Sequence, residues 1–241
     1  MCAPGDLLAR SQRRHDDGDQ NSPQMCIYLA FWIYRTIFLH MMPDSMPSKA
    51  IAIVRKRGAI RLRDAAEHGI HPEVLRRLVA SGELLRTHRG IYALPERDVT
   101  EHTDLSLATM LVPSGTICLL SALAYHRIGT QLPHEVWMMI PARSHRPHIK
   151  RPPMRFVTAS GSALTGGVQR VTIEGQSVRI ASPEKTVIDC FRYRRQVGLD
   201  VALEALREVL RTRRCTPDAL ARRADTCGVA TVVRPYLEAI A

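Results

Sequence analysis

Residues 58–94 read Gly58-Ala-Ile-Arg61-Leu-Arg63-Asp-Ala65-Ala66-Glu-His68-Gly69-Ile70-His71-Pro72-Glu73-Val-Leu75-Arg76-Arg77-Leu78-Val79-Ala80-Ser81-Gly82-Glu-Leu84-Leu-Arg86-Thr-His88-Arg89-Gly90-Ile91-Tyr92-Ala93-Leu94. The stretch 61–68 predicts a compact helix whose small Ala65 and Ala66 let a neighbouring helix approach closely. Gly69 supplies the positive φ of a tight turn, and Ile70 anchors that turn in a core. Pro72 suits the first position of the next helix, and Glu73 suits its positive dipole end. Over 72–81, Leu75, Leu78 and Val79 recur at i, i+3 and i+4 and face inward. Glu73, Arg76, Arg77 and Ala80 then face outward, and Gly82 closes the helix. Two short strands at 84–87 and 91–94, joined through His88-Arg89-Gly90, complete the block.

Working upstream, Ser48 can cap a first helix over 49–57 whose Ile51, Ile53 and Val54 form a core face. Gly58 ends that helix, and residues 59–60 read as a short strand. The order is helix, helix, turn, helix, hairpin, which is a winged helix-turn-helix over residues 46–95. A turn-linked helix pair sets the 72–81 helix in the major groove of DNA. There Arg76 and Arg77 can read guanine edges or clamp phosphates, and Arg89 on the hairpin tip can reach the neighbouring backbone or minor groove. Arg61, Arg63, His71, Glu73 and His88 join them as candidate DNA-binding residues. From Lys49 to Leu94 ten basic residues face four acids, a surplus of +6 of the kind phosphate binding needs. Winged helices also dock on proteins, and salt-sensitive retention on DNA separates the two uses.

The whole chain carries the same bias. Its 241 residues have a net charge of +11 and a pI of about 9.9, which favours a polyanionic partner. The hydrophobic fraction of 45% supports a core in a second domain besides the winged helix. The six cysteines, at 2, 26, 118, 190, 215 and 227, form no C-x-x-C pair, so neither zinc ligation nor a secreted disulfide framework is expected. They read as reduced thiols of a cytoplasmic protein. There is no Gly-rich phosphate loop and no Walker motif, and no metal or cofactor is called for.

Residues 1–45 do not resemble the rest of the chain. Five of the chain's twelve aromatics fall between Tyr28 and Phe38, in an apolar run interrupted by Arg35 and too short to span a membrane. A membrane-touching segment, a disordered arm and translated upstream sequence all fit. The last is favoured, because helical patterning begins at once after Met46-Pro-Ser-Lys49. No membrane partner is expected.

Residues 96–241 predict an attached α+β domain. After a linker at 95–102 come helices at 105–111 and within 116–126, and an apolar strand at 135–140 that reads as central. Further strands fall at 154–157, 169–173 and 177–180, the last two as a hairpin turning at Gly175-Gln176. Ser182-Pro183-Glu184 is a helix start, with cap, proline and acid in order, and Val187, Ile188 and Phe191 lie on one face of that helix. Helices at 201–211, 217–224 and 229–240 complete the chain, without regular βαβ alternation. Between the strands, residues 141–155 gather Arg143, Arg146, Lys150 and Arg151 with four prolines and no acid. These four are candidate phosphate contacts; a solvated loop is the alternative.

Taken together, three blocks resemble the AbiEi family of bacterial antitoxins and regulators: residues 58–93, Ser121-Ala-Leu-Ala-Tyr-His126, and Ser182-Pro-Glu-Lys-Thr-Val-Ile-Asp189. The resemblance implies a winged helix that binds inverted repeats in its own promoter, as double-stranded operator DNA, and represses the operon. It implies a C-terminal domain that counters a nucleotidyltransferase-like toxin encoded next door, without a stable complex. It implies no enzymatic activity. A metal-dependent nuclease is the rival, and would need clustered carboxylates. From 136 to 172 there is no acid, which leaves Glu174, Glu184 and Asp189. Lys185 and Asp189 stand at i, i+4 and can pair with each other.

Overall fold

The computed structural model describes residues 45–96 and 100–240; the extension expected over residues 1–45 lies outside them apart from Ser45. The first helix, α1 (Met46–Arg57), is capped by Ser45, whose Oγ accepts from Ser48 N, and not by Ser48 as expected. Ser45 has the extended backbone a cap requires, and Pro47 fits the first turn, so the helix begins one turn earlier than its apolar pattern. Then come β1 (Ala59–Arg61), α2 (Leu62–Glu67), α3 (Pro72–Ala80), β2 (Leu85–His88) and β3 (Ile91–Ala93). The strands pair antiparallel in the order β1-β3-β2, so the hairpin gains a third strand from the segment before α2. Ala50, Val54, Ile60, Ala65, Ile70, Leu75, Leu78, Leu84 and Tyr92 form one core. Residues 46–95 are thus a winged helix-turn-helix, with the predicted turn tightened to Arg89-Gly90.

The second unit is built on a five-stranded mixed sheet of order β6-β5-β4-β8-β7. Its elements are α4 (Thr103–Leu111), β4 (Thr116–Ile117), α5 (Leu119–His126), β5 (Val136–Pro141), β6 (Met154–Ala159), α6 (Gly161–Thr165), β7 (Val168–Ile173) and β8 (Gln176–Ala181). They continue as α7 (Pro183–Arg192), α8 (Arg194–Val197), α9 (Leu199–Arg211), α10 (Pro217–Thr226) and α11 (Ala230–Ile240). Successive side chains of β5 point to opposite faces. Val136, Met138 and Ile140 enter the core beneath α4. Trp137 and Met139 enter the larger core shared by α5, α7 and α9–α11. Both faces are covered, which explains why this strand is apolar along its whole length.

Helix α7 departs from its predicted single apolar face. Every residue from Lys185 to Phe191 is buried, because α5, α9, α10 and α11 surround it. Within it Lys185 Nζ lies 2.9 Å from Asp189 Oδ2, with both side chains 0% exposed. Nζ also donates to the Ala163 carbonyl at 2.5 Å, which ties α6 to α7. Burial pushes the Asp189 carboxyl above its ordinary value, against the pull of Lys185. The β7–β8 turn falls on Glu174 and Gly175, both with positive φ, one residue earlier than expected.

That turn also joins the two units. Gln176 Nε2 donates to the carbonyls of Arg57 and Ala59, both at 2.7 Å. A Cβ on Gly175 would stand 2.4 Å from the Lys56 carbonyl oxygen, so only glycine fits against the end of α1. Glu174 accepts from Thr100 and Thr103. Beside this joint Ala59, Ile91 and Ala93 pack on Met110 of α4.

Candidate nucleic-acid interface

Helix α3 presents its N-terminus and outer face on the side of the winged helix away from α4. His71 caps it, with Nδ1 accepting from Glu73 N at 3.2 Å. Leu75 and Leu78 are buried beneath, and this turns Arg76 and Arg77 outward with side chains 80% and 81% exposed. Glu73 lies 3.5 Å from Arg76 and 3.9 Å from Arg77. These are solvated pairs whose arginines can exchange partners at small cost.

Between α3 and the wing lies a concave surface of about 730 Å³, lined by His71, Glu73, Arg76, Arg86, Arg89 and Tyr92 among others. Arg86 and Arg89 are exposed. Arg86 stands opposite Tyr92 in the hairpin register. It escaped the sequence-derived set, although a cationic side chain on the strand leading into the wing turn was the signal for it. One wall of this cleft is a helix of groove-filling width, and the other carries two guanidiniums. Such a shape suits a helix in a major groove with the wing on the flanking backbone.

The remaining candidates divide. Arg61 turns inward: its Nε donates to Asp64 at 2.7 Å, its guanidinium reaches toward the Met110 carbonyl, and its side chain is 23% exposed. It braces the joint between the units and stands apart from the cleft. Arg63 is exposed and leans on Asp64 at 3.3 Å. His88 does not line the cleft; its Nε2 meets the Arg151 carbonyl at 2.6 Å. That bond fastens the end of the 142–153 loop to the wing, and Ile149 of the loop packs against the α4-side core. The loop is therefore seated, and Arg143, Arg146, Lys150 and Arg151 are all exposed on it.

The acids that a nuclease would need are dispersed. Glu174 sits at the joint, Asp189 is buried against Lys185, and Glu184 borders a separate cleft with Arg222 and Arg223. Among the described residues no group of three or more His, Cys, Asp or Glu stands ready for a metal. No described helix is long and apolar enough to cross a membrane.

Two family models match this chain. Residues 49–95 match the family model described as "Transcriptional regulator, AbiEi antitoxin". Residues 116–237 match the model of the AbiEi antitoxin C-terminal domain. A search among curated proteins gives no match. Among solved structures, the crystal structure of the RV2827C protein from Mycobacterium tuberculosis is similar, at 13% identity and a TM-score of 0.51 over 80% of each chain. That likeness concerns the fold alone. With its two matched segments covering the winged helix-turn-helix and most of the second unit, the chain belongs to the AbiEi antitoxin family of transcriptional regulators.

Proposed function

We propose that this protein is the autorepressor and antitoxin of a toxin–antitoxin operon. Its winged helix binds inverted repeats in the operon's own promoter, and its C-terminal domain counters a nucleotidyltransferase-like toxin encoded beside it. The observation that carries the DNA-binding half is the cleft between α3 and the wing, where Arg76, Arg86 and Arg89 line one concavity. In this reading α3 enters the major groove with Glu73, Arg76 and Arg77 toward base edges, while Arg86 and Arg89 hold the flanking phosphates. His71 keeps the first turn of α3 closed. Arg63 lies at the outer edge of the same module.

The seated 142–153 loop extends the same surface. His88 anchors it to the wing, so Arg143, Arg146, Lys150 and Arg151 follow the backbone beyond the wing's own reach. Phosphate contacts of this kind fix register without reading sequence. A single winged helix covers a short site, and two chains on an inverted repeat gain specificity. The antitoxin half rests on the family of the C-terminal domain.

The test is fluorescence anisotropy on the promoter fragment over a range of salt. Wild type should bind with a log K against log [salt] slope of several units, about 0.9 for each phosphate neutralised. Arg76→Ala should cost about 1–3 kcal/mol and relax base preference at one position of each half-site. Absence of binding to duplex DNA at low ionic strength would overturn the reading. For the antitoxin half, co-expression should restore growth to cells producing the neighbouring toxin.

A further inference from the structure

The turn between α9 and α10 carries an arginine where the backbone favours glycine. Arg213 has a φ of 54°. Its N–H donates to the Leu210 carbonyl at 3.0 Å, and that of Arg214 donates to the Val209 carbonyl at 2.9 Å. This pair of bonds closes a helix through one left-handed residue, a position glycine occupies without its side chain meeting the backbone. After α10 the corresponding residue is Gly228, whereas α5 is closed in the same way by Arg127, with a φ of 55°. After α9, too, the chain keeps a guanidinium, at a conformational cost.

The surroundings indicate what that guanidinium serves. Arg213 lines a cleft of about 600 Å³ with Arg207 and Arg211, beside Leu210, Pro217 and Ile240. No acid lines it. Arg211 is held by Glu208 at 2.9 Å, whereas the guanidiniums of Arg207 and Arg213 have no hydrogen-bond or ion-pair partner among the described residues. Burial, with Glu184 adding to it, pushes the Cys215 thiol up to about 12, so it brings no negative charge to the cleft. A helix C-terminus attracts cations, which accounts for Arg207 and Arg211 on α9 itself. It does not account for displacing glycine at 213.

Two unpaired guanidiniums beside an apolar wall suit a ligand with phosphate at one end and a flat, weakly polar ring at the other. The volume falls in the range of small-molecule sites. We propose that this cleft binds a nucleoside phosphate, presented either as a free nucleotide or as the 5′-phosphorylated end of a strand. The site belongs to the C-terminal unit and is independent of the winged-helix surface.

The experiment uses the full chain and two probes, N-methylanthraniloyl-ATP and a labelled single-stranded tetranucleotide with or without a 5′-phosphate. Saturable binding of the ATP probe, or of the phosphorylated strand over its hydroxyl counterpart, is expected, and which probe binds identifies the source. Arg213→Gly should weaken that binding about tenfold or more, the loss of one charge-assisted contact. Its melting temperature should equal or exceed wild type, because glycine fits the turn. Arg76→Ala/Arg77→Ala should bind the probes as wild type does, which excludes the DNA surface as their site. Absence of saturable binding to either probe, unchanged binding by Arg213→Gly, or a lower melting temperature for that variant would each overturn the proposal.

Discussion

Removing the carboxylate of Asp189 should unfold this protein more readily than any surface change. Lys185 and Asp189 lie 2.9 Å apart with both side chains 0% exposed. At that separation two unit charges attract by about 6 kcal/mol at an effective dielectric near 20. Desolvation costs several kcal/mol for each ion, so the intact pair comes close to breaking even. Breaking it does not. Asp189→Ala leaves the Lys185 ammonium buried with only the Ala163 carbonyl for company, and should cost about 3–5 kcal/mol. Lys185→Met should cost less at low pH, since a buried carboxyl can take a proton where an ammonium held by a carbonyl cannot easily lose one. The sign follows from the direction of the shift. Asp189 is raised above the ordinary carboxyl value of 3.8, so its favourable contribution is complete below that pH. It is lost as pH rises through the folded-state value, and Lys185→Met should steepen the loss. Replacing both, Lys185→Met with Asp189→Leu, should be neutral or stabilising by about 1–4 kcal/mol, less the cost of orphaning the Ala163 carbonyl. Urea denaturation of the four proteins at pH 5 and pH 8 measures these differences. If Asp189→Ala loses under about 1 kcal/mol at both values, the buried pair does not constrain the fold.

Two further outcomes test the interface and the joint. Arg86→Ala should weaken binding to specific and non-specific DNA alike and lower the salt slope by about 1, read by anisotropy; an effect confined to one operator base would remove Arg86 from the backbone wall. Gln176→Ala frees the Arg57 and Ala59 carbonyls and should cost about 1–3 kcal/mol, with faster hydrogen exchange concentrated at Ala59–Arg61 and Ile91–Ala93; uniform exchange across the chain would deny the joint a local role.

How far the sequence disclosed this depends on the range of the interactions. The winged helix was legible because each part has a local cause: Gly69 in the turn, Pro72 opening α3, Leu75 and Leu78 on one face, Gly90 in the wing. Ser182 with Pro183 marked the start of α7 for the same reason. The burial of α7 was not legible. Lys185 and Asp189 at i, i+4 describe a solvated pair as well as a buried one, and only the packing of α5, α9, α10 and α11 decides. The cap of α1 at Ser45, and not at the expected Ser48, lies in backbone angles that the sequence does not reveal. The inward turn of Arg61 and the seating of the basic loop arise from partners 49 and 63 residues away in the chain. No window of sequence contains them.

The joint also decides which side of the winged helix faces outward. A three-stranded sheet this small has two faces. Here Ile60 and Tyr92 fill the winged-helix core, while Ala59, Ile91 and Ala93 meet Met110, Leu107 and Leu111 of α4. Alanine at both 59 and 93, which are paired across the sheet, leaves room for a helix at close range; a bulky residue at either would push α4 away. With that face covered, and the end of α1 held by Gly175 and Gln176, the surface of α3 and the wing turn is left open. The same α4 and the β7–β8 turn belong to the C-terminal sheet, so the direction in which the arginines point is set by the domain behind them. A shift of the β7–β8 turn would therefore move the winged helix relative to the C-terminal sheet. Ala93→Phe is the substitution that separates them: it should displace α4 while leaving the winged-helix core, which faces the other way, intact.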